Sequence, residues 1–504
     1  MSYKTYIDYP VEHLPYDIIV VSDGKVAEVY DKKGRRIYSS SDHDKVLDEA
    51  FNRAPADGVV KLLEEFTIKS QHIIPKNLVI DGYGAKFVAG ATTTAARMIM
   101  PDSNVVLHIK GLKMDLAGIW GVGTGADTTR TAATLILEDV EIIGINNYGI
   151  SQTGDNGKVI LRRVKLKGVE PDGSDNECLL TEDQEEVIVE DCEIYGNKPY
   201  YLAAKKVRIL RTKVSTEGYN TAYHSPINAE DVEIQSVEHV GSNITVRPYG
   251  DVHLDVVYSS LKRLIIEDVK LLEPGTASSR IEVRPYDDTY IAEQVIIRNI
   301  KAQKTPISIR AWTSHSKVKQ LIIENVEFEE FSAAHWILDV DDCDIDFFII
   351  KNIRMPDTNL TNSALADFGA VNSNISVRGI IKDVYAPYDL DYSISFRDDG
   401  ATGYSVDGEI DMRELKPRPI RKVTTVVVNA TVKQKNSGVA TIASGSTSVT
   451  VNHGLVAKPR VVIVTPYGNT KVWVPEDSIT DTSFDIVTDT APSEDLKVAW
   501  YAEV

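Results

Sequence analysis

The sequence predicts an all-β solenoid built of stacked short coils, and three observations support this fold class. A strand pattern recurs nine times at a mean spacing of about 27 residues, which is typical of repeat architectures. Each copy alternates apolar and polar residues in two short runs, and none has the ten or more periodic residues of a helix. One coil cannot bury its own apolar face, so the coils must stack. The copies are LILEDVEI, VILRRVKL, VIVEDCEI, VRILRTKV, VEIQSVEH, LIIEDVKL, VIIRNIKA, LIIENVEF and FIIKNIRM.

A polar corner separates the two runs of each copy. The sixth position, just after the corner, is apolar or small, so it should return to the core; Cys192 occupies it in one copy. Strand, corner and strand together describe one bend of a coil. The fifth position, which makes the corner, holds Asp139, Arg163, Asp191, Arg211, Ser236, Asp268, Asn299, Asn325 and Asn352.

These residues resemble the coils of the right-handed parallel β-helix, the family that includes pectate lyases and bacteriophage tailspikes. The phrases VIVEDCEI and LIIENVEF are similar to that family's usual coil. Upstream, SDHDKVLDEAFNRAPADGVVKL and NLVIDGYGAKF resemble the start of such helices, where a short helix covers the first coil. The resemblance covers residues 42–412 and implies the fold, whereas this fold carries lyases, hydrolases and binding proteins alike.

The resemblance and the local composition divide the chain into four segments. Residues 1–41 read as small strands, with Asp23-Gly24 and Lys33-Gly34 as turn signals, and the resemblance implies an attachment segment. Ser41 and Asp42 are candidate N-caps for the covering helix. Residues 42–413 form the predicted parallel β-helix, and the proline-containing residues 414–423 form a linker.

Residues 424–504 change character and predict a C-terminal β-sandwich. Short alternating strands are separated there by Gly, Pro, Asp or Asn. The segment resembles C-terminal modules of phage tail proteins, which implies a role in trimerisation or carbohydrate binding. Its aromatic residues are candidates for stacking on a sugar, with core packing and trimer contact as the alternative; they are Tyr467, Trp473, Trp500 and Tyr501.

Charge and hydropathy argue against several classes of partner. The formal net charge is −19 and no basic cluster offsets it, so nucleic acid is not an expected partner. No apolar run is long enough to span a membrane, and the start MSYKTYIDYP lacks the features of a signal peptide. We therefore expect a virion or extracellular protein. The three cysteines do not form a disulfide framework; Cys178 and Cys192 are predicted core residues, and Cys343 lies in an acidic loop.

The third strand of each coil carries the candidate site. The segments ITVRPYG, IEVRPYDD and ISIRAWTSH share a pattern, with TAYHSP before them and WILDVDD after them. First and third positions should face the core, so second and fourth positions face outward. The second positions are Thr245, Glu282, Ser308 and Ile337; the fourth positions are His224, Arg247, Arg284, Arg310 and Asp339; aromatic residues follow at Tyr249, Tyr286 and Trp312.

Three arginines in register repel one another unless acidic side chains or an anionic ligand offset them. Arginine forks suit carboxylates or sulfates, and flanking aromatic rings suit a sugar face. The column therefore predicts a site for an acidic polysaccharide. The structural alternative is a surface ladder of arginine and acidic residues that holds the coils together. The predicted substrate-binding residues are Arg247, Tyr249, Tyr286, Asp287, Arg310 and Trp312.

Two cleavage chemistries are compatible with this column. Hydrolysis needs two carboxylates; Glu282 and Asp339 lie two coils apart, about 10 Å, which favours inversion, and Asp287 in the following turn is an alternate. A lyase needs a cation such as Arg284 against the substrate carboxylate and a base such as His224. The predicted catalytic residues are therefore Glu282, Asp339, His224 and Arg284.

No cofactor or metal is expected for this chemistry. The acidic residues from Asp339 to Asp346 are rich enough in carboxylates for Ca²⁺, which is kept as an alternative, although they lack the glycine and terminal glutamate of an EF-hand loop. A second acidic group, PDGSDNE, contains Asp172, Asp175 and Glu177 and is interpreted as a solvated turn. His453 is interpreted as a surface or turn residue.

The sequence thus predicts a tailspike-like polysaccharide depolymerase, acting on a cell-surface or other acidic glycan by hydrolysis or β-elimination. The resemblance implies a homotrimer that works with other virion tail proteins. Two alternatives remain open. One is a fibre of the same fold that binds a glycan receptor without cleaving it, and the other is a structural surface protein with no ligand.

Overall fold

The computed structural model describes residues 15–90, 97–117, 119–124, 132–169, 177–216, 225–241, 243–246, 260–272, 281–283, 291–303, 307–310, 316–329, 336–341, 343–354, 364–369, 374–385, 392–396, 403–411, 413, 426–428 and 431–504. At some strand positions, among them Ser308 and Arg310, the description extends to the backbone alone. The chain divides into two compact units, Met1–Ser279 and Arg280–Val504.

The first unit opens with three small strands and a helix. Strand β1 pairs antiparallel with β2, which pairs antiparallel with β3, and β1 also pairs in parallel with β4 of the first coil. The predicted turns are confirmed, since Gly24 and Gly34 have φ values of 83° and 71°. The elements are β1 (Ile18–Ser22), β2 (Ala27–Asp31), β3 (Arg36–Ser40), α1 (His43–Arg53) and β4 (Gly58–Ile68).

The coils of the first unit follow as short strands that each pair in parallel with the strands of the next coil. They are β5 (His72–Ile74), β6 (Leu78–Asp81), β7 (Ala85–Ala89), β8 (Arg97–Pro101), β9 (Val106–Lys110), β10 (Lys113–Asp115), β11 (Trp120–Val122), β12 (Thr134–Glu138), β13 (Glu141–Ile145), β14 (Tyr148–Gln152), β15 (Gly157–Arg162), β16 (Lys165–Gly168), β17 (Glu177–Glu190), β18 (Glu193–Tyr195), β19 (Lys198–Leu210), β20 (Lys213–Ser215), β21 (Ser225–Gln235), β22 (Glu238–Val240), β23 (Ile244–Val246), β24 (Ser260–Leu261), β25 (Arg263–Glu267) and β26 (Lys270–Leu272).

Within the second unit, strands of consecutive coils also pair in parallel, and the C-terminal strands pair antiparallel. Its elements are β27 (Ile281–Val283), β28 (Ile291–Ala302), β29 (Ile307–Arg310), β30 (Ser316–Phe328), β31 (Trp336–Asp341), β32 (Cys343–Arg354), β33 (Ala364–Gly369), β34 (Asn374–Tyr385), β35 (Tyr392–Phe396), β36 (Gly403–Asp411), β37 (Val426–Val428), β38 (Thr431–Lys433), β39 (Lys435–Ile442), β40 (Ser448–Asn452), β41 (Val461–Pro466), β42 (Val472–Trp473), β43 (Ser483–Thr488) and β44 (Leu496–Glu503), with a 3₁₀ turn at Glu476–Ser478.

Each coil has three strand positions, which we call first, second and third. In one coil these are β12, β13 and β14, and the next coil begins with β15. Inward side chains of the first strands stack in register; Leu135, Val159 and Val187 are fully buried. The predicted fold is therefore confirmed: a parallel β-helix with a short covering helix and a C-terminal sandwich. The domain boundaries stay predictions, and β37 and β38 still pair in parallel with β36.

The corner between first and second strands is a left-handed backbone turn. All nine fifth-position residues of the repeat have φ between 46° and 57°. Asparagine and aspartate tolerate this region better than other non-glycine residues, which accounts for the polar corner. The corner side chains also bond along the stack: Asn325 Nδ2 donates to Asn299 Oδ1 at 2.9 Å, and Asn352 Nδ2 donates to Asn325 Oδ1 at 2.6 Å.

In the earlier coils the corner column alternates in charge. The side chain of Arg163 donates to Asp139, with Nε at 2.6 Å, and Arg211 Nε donates to Asp191 at 2.7 Å. The hydrogen bonds to Asp139 and Glu138 raise the pKa of Arg163, and the bond to Arg211 lowers the pKa of Asp191. Because these groups are exposed, solvent screens the pairs, and their net contribution to stability is small.

Helix α1 contacts the first coil through two of its carboxylates, which flank a buried histidine of β5. Asp42 caps the helix, its side chain accepting from the Lys45 backbone N–H. His72 is fully buried, with Nδ1 2.7 Å from an oxygen of Asp48 and Nε2 3.2 Å from an oxygen of Asp44. Both oxygens of Asp44 also accept from the Lys69 backbone N–H at 3.1 Å. Burial opposes the charged form of His72, but the two carboxylates outweigh it and raise its pKa.

The C-terminal domain is a sandwich of two three-stranded antiparallel sheets, β39–β44–β41 and β40–β43–β42. Its core includes Phe484, Ile486 and Val498. Of the two interpretations of His453, surface or turn residue, the first is wrong: the residue follows β40 outside the regular strands, and its side chain is fully buried. Its ring stacks on Phe484 with 6.2 Å between the ring centroids, and its Nδ1 accepts from the Leu455 N–H at 3.1 Å, which satisfies that buried nitrogen. Trp500 also contacts Phe484, edge to face at 5.7 Å, whereas Tyr467 is 70% exposed.

The predicted core positions of Cys178 and Cys192 are confirmed. Both side chains are buried, and burial raises the pKa of each thiol to about 12. The loop position expected for Cys343 is wrong: it begins β32 and is fully buried. Its acidic neighbours alternate with apolar residues, so the acidic stretch is half of a strand pattern. No helix among the described residues is long and apolar enough to cross a membrane.

Replacing Asn325 tests the corner. Alanine removes the two exposed hydrogen bonds of the Asn325 side-chain amide. It also lacks asparagine's tolerance of the left-handed backbone conformation, which should cost about 1–2 kcal/mol of folding stability. Glycine removes the same bonds but relieves the backbone. We expect the thermal unfolding midpoint to be highest for the wild type, lower for Asn325→Gly and lowest for Asn325→Ala. An alanine variant as stable as the glycine variant contradicts the assigned backbone cost.

The His72 cluster predicts a pH-dependent contribution to stability. The folded pKa of His72 lies above its ordinary value of 6.5, so its contribution is fully present below pH 6.5 and is lost as the pH rises through the folded pKa. The difference in thermal midpoint between wild type and His72→Gln should therefore narrow as the pH rises.

His43 provides the matched control for this pH dependence. Burial lowers the pKa of His43, whose Nδ1 accepts from the Thr67 N–H at 2.9 Å, so its contribution is lost as the pH falls. The midpoint difference between wild type and His43→Gln should narrow in the acidic direction instead. A His72→Gln difference that widens as the pH rises contradicts the cluster.

Candidate functional site

The candidate site lies on the outward side of the third strands in the second unit. In β27 the residue between the buried Ile281 and Val283 is Glu282, which therefore points away from the core. Glu282 pairs in register with Ser308 of β29, and Ser308 pairs in register with Asp339 of β31. The two carboxylate residues thus share one column with one strand between them.

The register corrects how the last strand was aligned. Leu338, and not Trp336, pairs with Ile307, so the second position of β31 is Asp339 and not Ile337. The prediction that Asp339 continues the arginine column is wrong. WILDVDD alternates apolar and acidic residues, and a slip of two residues leaves the same faces buried, so the pattern alone does not fix the frame.

The same shift changes the neighbour of Arg310. In the fourth position the residue paired with Arg310 is Asp341. An acidic residue therefore occupies the adjacent register position on the next coil, which is the arrangement of the arginine–acid ladder.

The first copy of the pattern is also shifted. Ser225, and not Thr221, pairs with Ile244, which makes Asn228 the fourth residue of that strand. The prediction that His224 heads the column stays a prediction. His224 itself lies outside the described residues, as do Arg247, Tyr249, Arg284, Tyr286, Asp287 and Trp312.

The outward second positions are buried, although they point away from the core. Thr245 is 0% exposed, Glu282 1% and Asp339 7%. The strands of a parallel sheet are commonly covered on both faces, so alternation identifies the side of the sheet and not its exposure. Both carboxylates therefore sit in a low-dielectric setting, where interactions with charged or polar groups are stronger than in water.

Sequence reasoning missed one residue of this column. Asp367 of β33 pairs in register with Asp339, and Ser395 of β35 follows it. The column therefore reads Glu282, Ser308, Asp339, Asp367, Ser395. The signal is the segment ALADFG, whose Ala-Asp-Phe matches Leu-Asp-Val of LDVD, followed by GIIKDVYA, which pairs in register with the repeat phrase FIIKNIRM.

The remaining candidates do not form a second site among the described residues. No group of three or more His, Cys, Asp or Glu side chains is arranged to hold a metal ion in the described part of the chain. Glu177, from the acidic turn, lies 3.6 Å from Lys198 in an ion pair, and Asp346 lies 2.7 Å from Lys317. Asp172 and Asp175 fall outside the described residues.

No family model and no curated protein matches the chain. Solved structures of tailspikes are similar along nearly its whole length. The tailspike gp49 of Pseudomonas phage LKA1 is 10% identical over 92% of both chains, with a TM-score of 0.40. The tailspike of E. coli bacteriophage HK620, in complex with a pentasaccharide, is 10% identical over 91% of this chain and 89% of that one, with a TM-score of 0.46.

The gp54 tailspike of Acinetobacter baumannii bacteriophage AP22, in complex with a capsular saccharide, is 10% identical over 92% of this chain and 94% of that one, with a TM-score of 0.30. Identities near 10% with TM-scores below 0.5 leave the function to be argued from the column itself.

Proposed function

We propose that the protein is a tailspike-like depolymerase that hydrolyses a glycosidic bond of an acidic cell-surface polysaccharide, with Glu282 and Asp339 as its carboxylate pair. We further propose that it acts as a homotrimer in a phage virion, together with other tail proteins. The observation that carries the hydrolytic proposal is the register, which puts both carboxylate residues in one outward column.

The spacing of this pair selects a stereochemistry. Two strand intervals separate Glu282 from Asp339, about 10 Å between backbones. Inverting glycosidases hold their carboxyl groups about 6.5–9.5 Å apart, with room for the attacking water between the second group and the sugar. If the Glu282 and Asp339 side chains lean toward each other from backbones about 10 Å apart, their carboxyl groups come within that range. One carboxyl would protonate the leaving oxygen and the other would activate the water.

Asp367 supplies the retaining alternative within the same column. It lies one strand interval from Asp339, about 4.8 Å between backbones, which is close to the ~5 Å separation of retaining enzymes. The anomeric configuration of the first product therefore discriminates between the two pairs. Inversion supports Glu282 with Asp339, and retention supports Asp339 with Asp367.

β-Elimination is the alternative chemistry. A lyase needs a cation to neutralise the substrate carboxylate. Of the candidate cations, Arg247 and Arg284 lie outside the described residues, and Arg310 pairs in register with Asp341. Hydrolysis needs no such cation.

A second candidate function, a fibre that binds glycan without cleaving it, is favoured by one observation. Glu282 is 1% exposed, whereas a residue that delivers a proton to a polysaccharide must reach its glycosidic oxygen. The binding fibre therefore predicts glycan retention by the protein with no new reducing ends.

Incubation with a panel of acidic and neutral polysaccharides tests the proposal. Hydrolysis produces reducing ends without absorbance at the wavelength of an unsaturated uronate, while elimination produces both. Asp339→Asn and Glu282→Gln should each lower the rate of reducing-end formation about 10²–10⁴-fold, because each removes a proton-transfer group. Retained glycan binding by these variants shows that the loss is chemical.

The matched controls are Asp346→Asn and Glu327→Gln. Both residues are strand carboxylates paired with lysines at the surface, Asp346 with Lys317 at 2.7 Å and Glu327 with Lys301 at 3.6 Å. Both variants should keep the wild-type rate. Full activity of Asp339→Asn would contradict the assignment of Glu282 and Asp339 as the catalytic pair. An unsaturated product supports a lyase. Binding of a glycan without its cleavage supports the binding fibre.

A further inference from the structure

The outward side of the first strands carries an apolar column in the first unit. Val59, Val79 and His108 stand in register on consecutive coils, followed in register by Ile136, Ile160 and Ile188. All six side chains are half-buried, although they point away from the core. We call these six residues the outer column.

Polar residues follow the outer column on the next coils. Arg208 and Glu233 continue the register with a 3.6 Å ion pair between them, and Ile265 comes after them. The same outward position in the second unit holds isoleucine at Ile322, Ile349 and Ile380, again in register. Isoleucine at an outward position on so many coils exceeds what β-propensity requires, since threonine serves a solvated strand equally well.

The charges that border the outer column cancel. Outward positions of the seven first strands from Val106 to Glu267 carry six basic and six acidic side chains, whereas the whole chain has a net charge of −19. Partners pair along the stack: Lys158 lies 3.5 Å from Glu186, and Arg162 lies 3.3 Å from Glu190. Two copies of a strongly acidic chain repel each other, and this neutral face minimises that repulsion.

The one titratable side chain of the outer column fits an apolar contact. Burial, with nearby Lys110, lowers the pKa of His108, which lies 3.3 Å from a Glu138 oxygen. The imidazole is therefore neutral near pH 7.

The size of this face suits a protein partner. The registered positions from Val59 to Ile265 span nine strands, about 38 Å at the interstrand spacing, and a five-residue strand is about 17 Å wide. The face is therefore about 650 Å², close to the ~800 Å² that each partner contributes to a stable interface.

The repeat of the outer column identifies the partner. Its side chains recur at every coil, about 4.8 Å apart, and the same interval continues through Arg208 and Glu233 to Ile265. A partner fills such a column over its full length only if its own side chains recur at the same interval. A second copy of this chain has that interval by construction.

We infer that the outer column is the surface through which copies of this chain associate. Ile160 is the fifth of the nine registered positions from Val59 to Ile265, and isoleucine lies on both neighbouring coils. This inference deepens the proposed homo-oligomer and rests on it, but it is independent of glycan cleavage.

Sedimentation velocity of the full chain over a range of concentrations tests the inference. The wild type should sediment as a species larger than the 55.8 kDa chain. Ile160→Lys should weaken association at least about a hundredfold, because every copy must then bury an ammonium group. Circular dichroism checks that the fold persists, and Ile160→Thr, which keeps the β-branch, should give a smaller loss.

Ile143→Lys is the matched control. Ile143 is an equally half-buried outward isoleucine, but it lies on a second strand, where its register neighbours are Asp115 and Lys167. This variant should associate like the wild type. A monomeric wild type overturns both the oligomer and the surface; an oligomer that survives Ile160→Lys, or that Ile143→Lys disrupts equally, overturns the surface alone. Glycan cleavage by Asp339→Asn preparations tests the proposed function separately.

Discussion

In-register stacking of short parallel strands is the constraint on which the rest of this structure depends. Each coil leaves its apolar positions unburied until the next coil covers them, so coil after coil repeats the same inward residues, as Leu135, Val159 and Val187 show. The corner then has to turn by the same amount each time. A left-handed residue at the fifth position does this in all nine copies.

Stacking also determines how side chains far apart in sequence meet. Glu282 and Asp339 are 57 residues apart in sequence, yet they share one column because only one strand, with Ser308 in register, lies between them. The same rule brings Asp341 beside Arg310 and isoleucines together in the outer column. A shift of two residues in the pairing of one strand would give each of these side chains a different neighbour. The chemistry of this molecule therefore depends on strand register more than on composition.

The sequence was sufficient for the architecture and for only part of the site. The repeat, the polar corner, the covering helix and its Asp42 cap are local patterns, and each was predicted. Glu282 was placed correctly because IEVRPYDD has one plausible frame. Asp339 was assigned to the wrong column because its segment fits two frames equally well. The burial of Glu282 and the His72 cluster depend on residues from other coils, and no local pattern reports them.

Cysteine cross-linking at Ser308 measures the register of the site most directly. Neighbouring residues on adjacent parallel strands have Cα atoms about 4.8 Å apart, within the range that a disulfide tolerates. Ser308→Cys with Asp339→Cys should form a disulfide readily, detected by mass spectrometry of unreduced peptides, while Ser308→Cys with Ile337→Cys should not. The native cysteines are buried and should not compete. A cross-link to residue 337 in preference to residue 339 would contradict the shared column of Glu282 and Asp339.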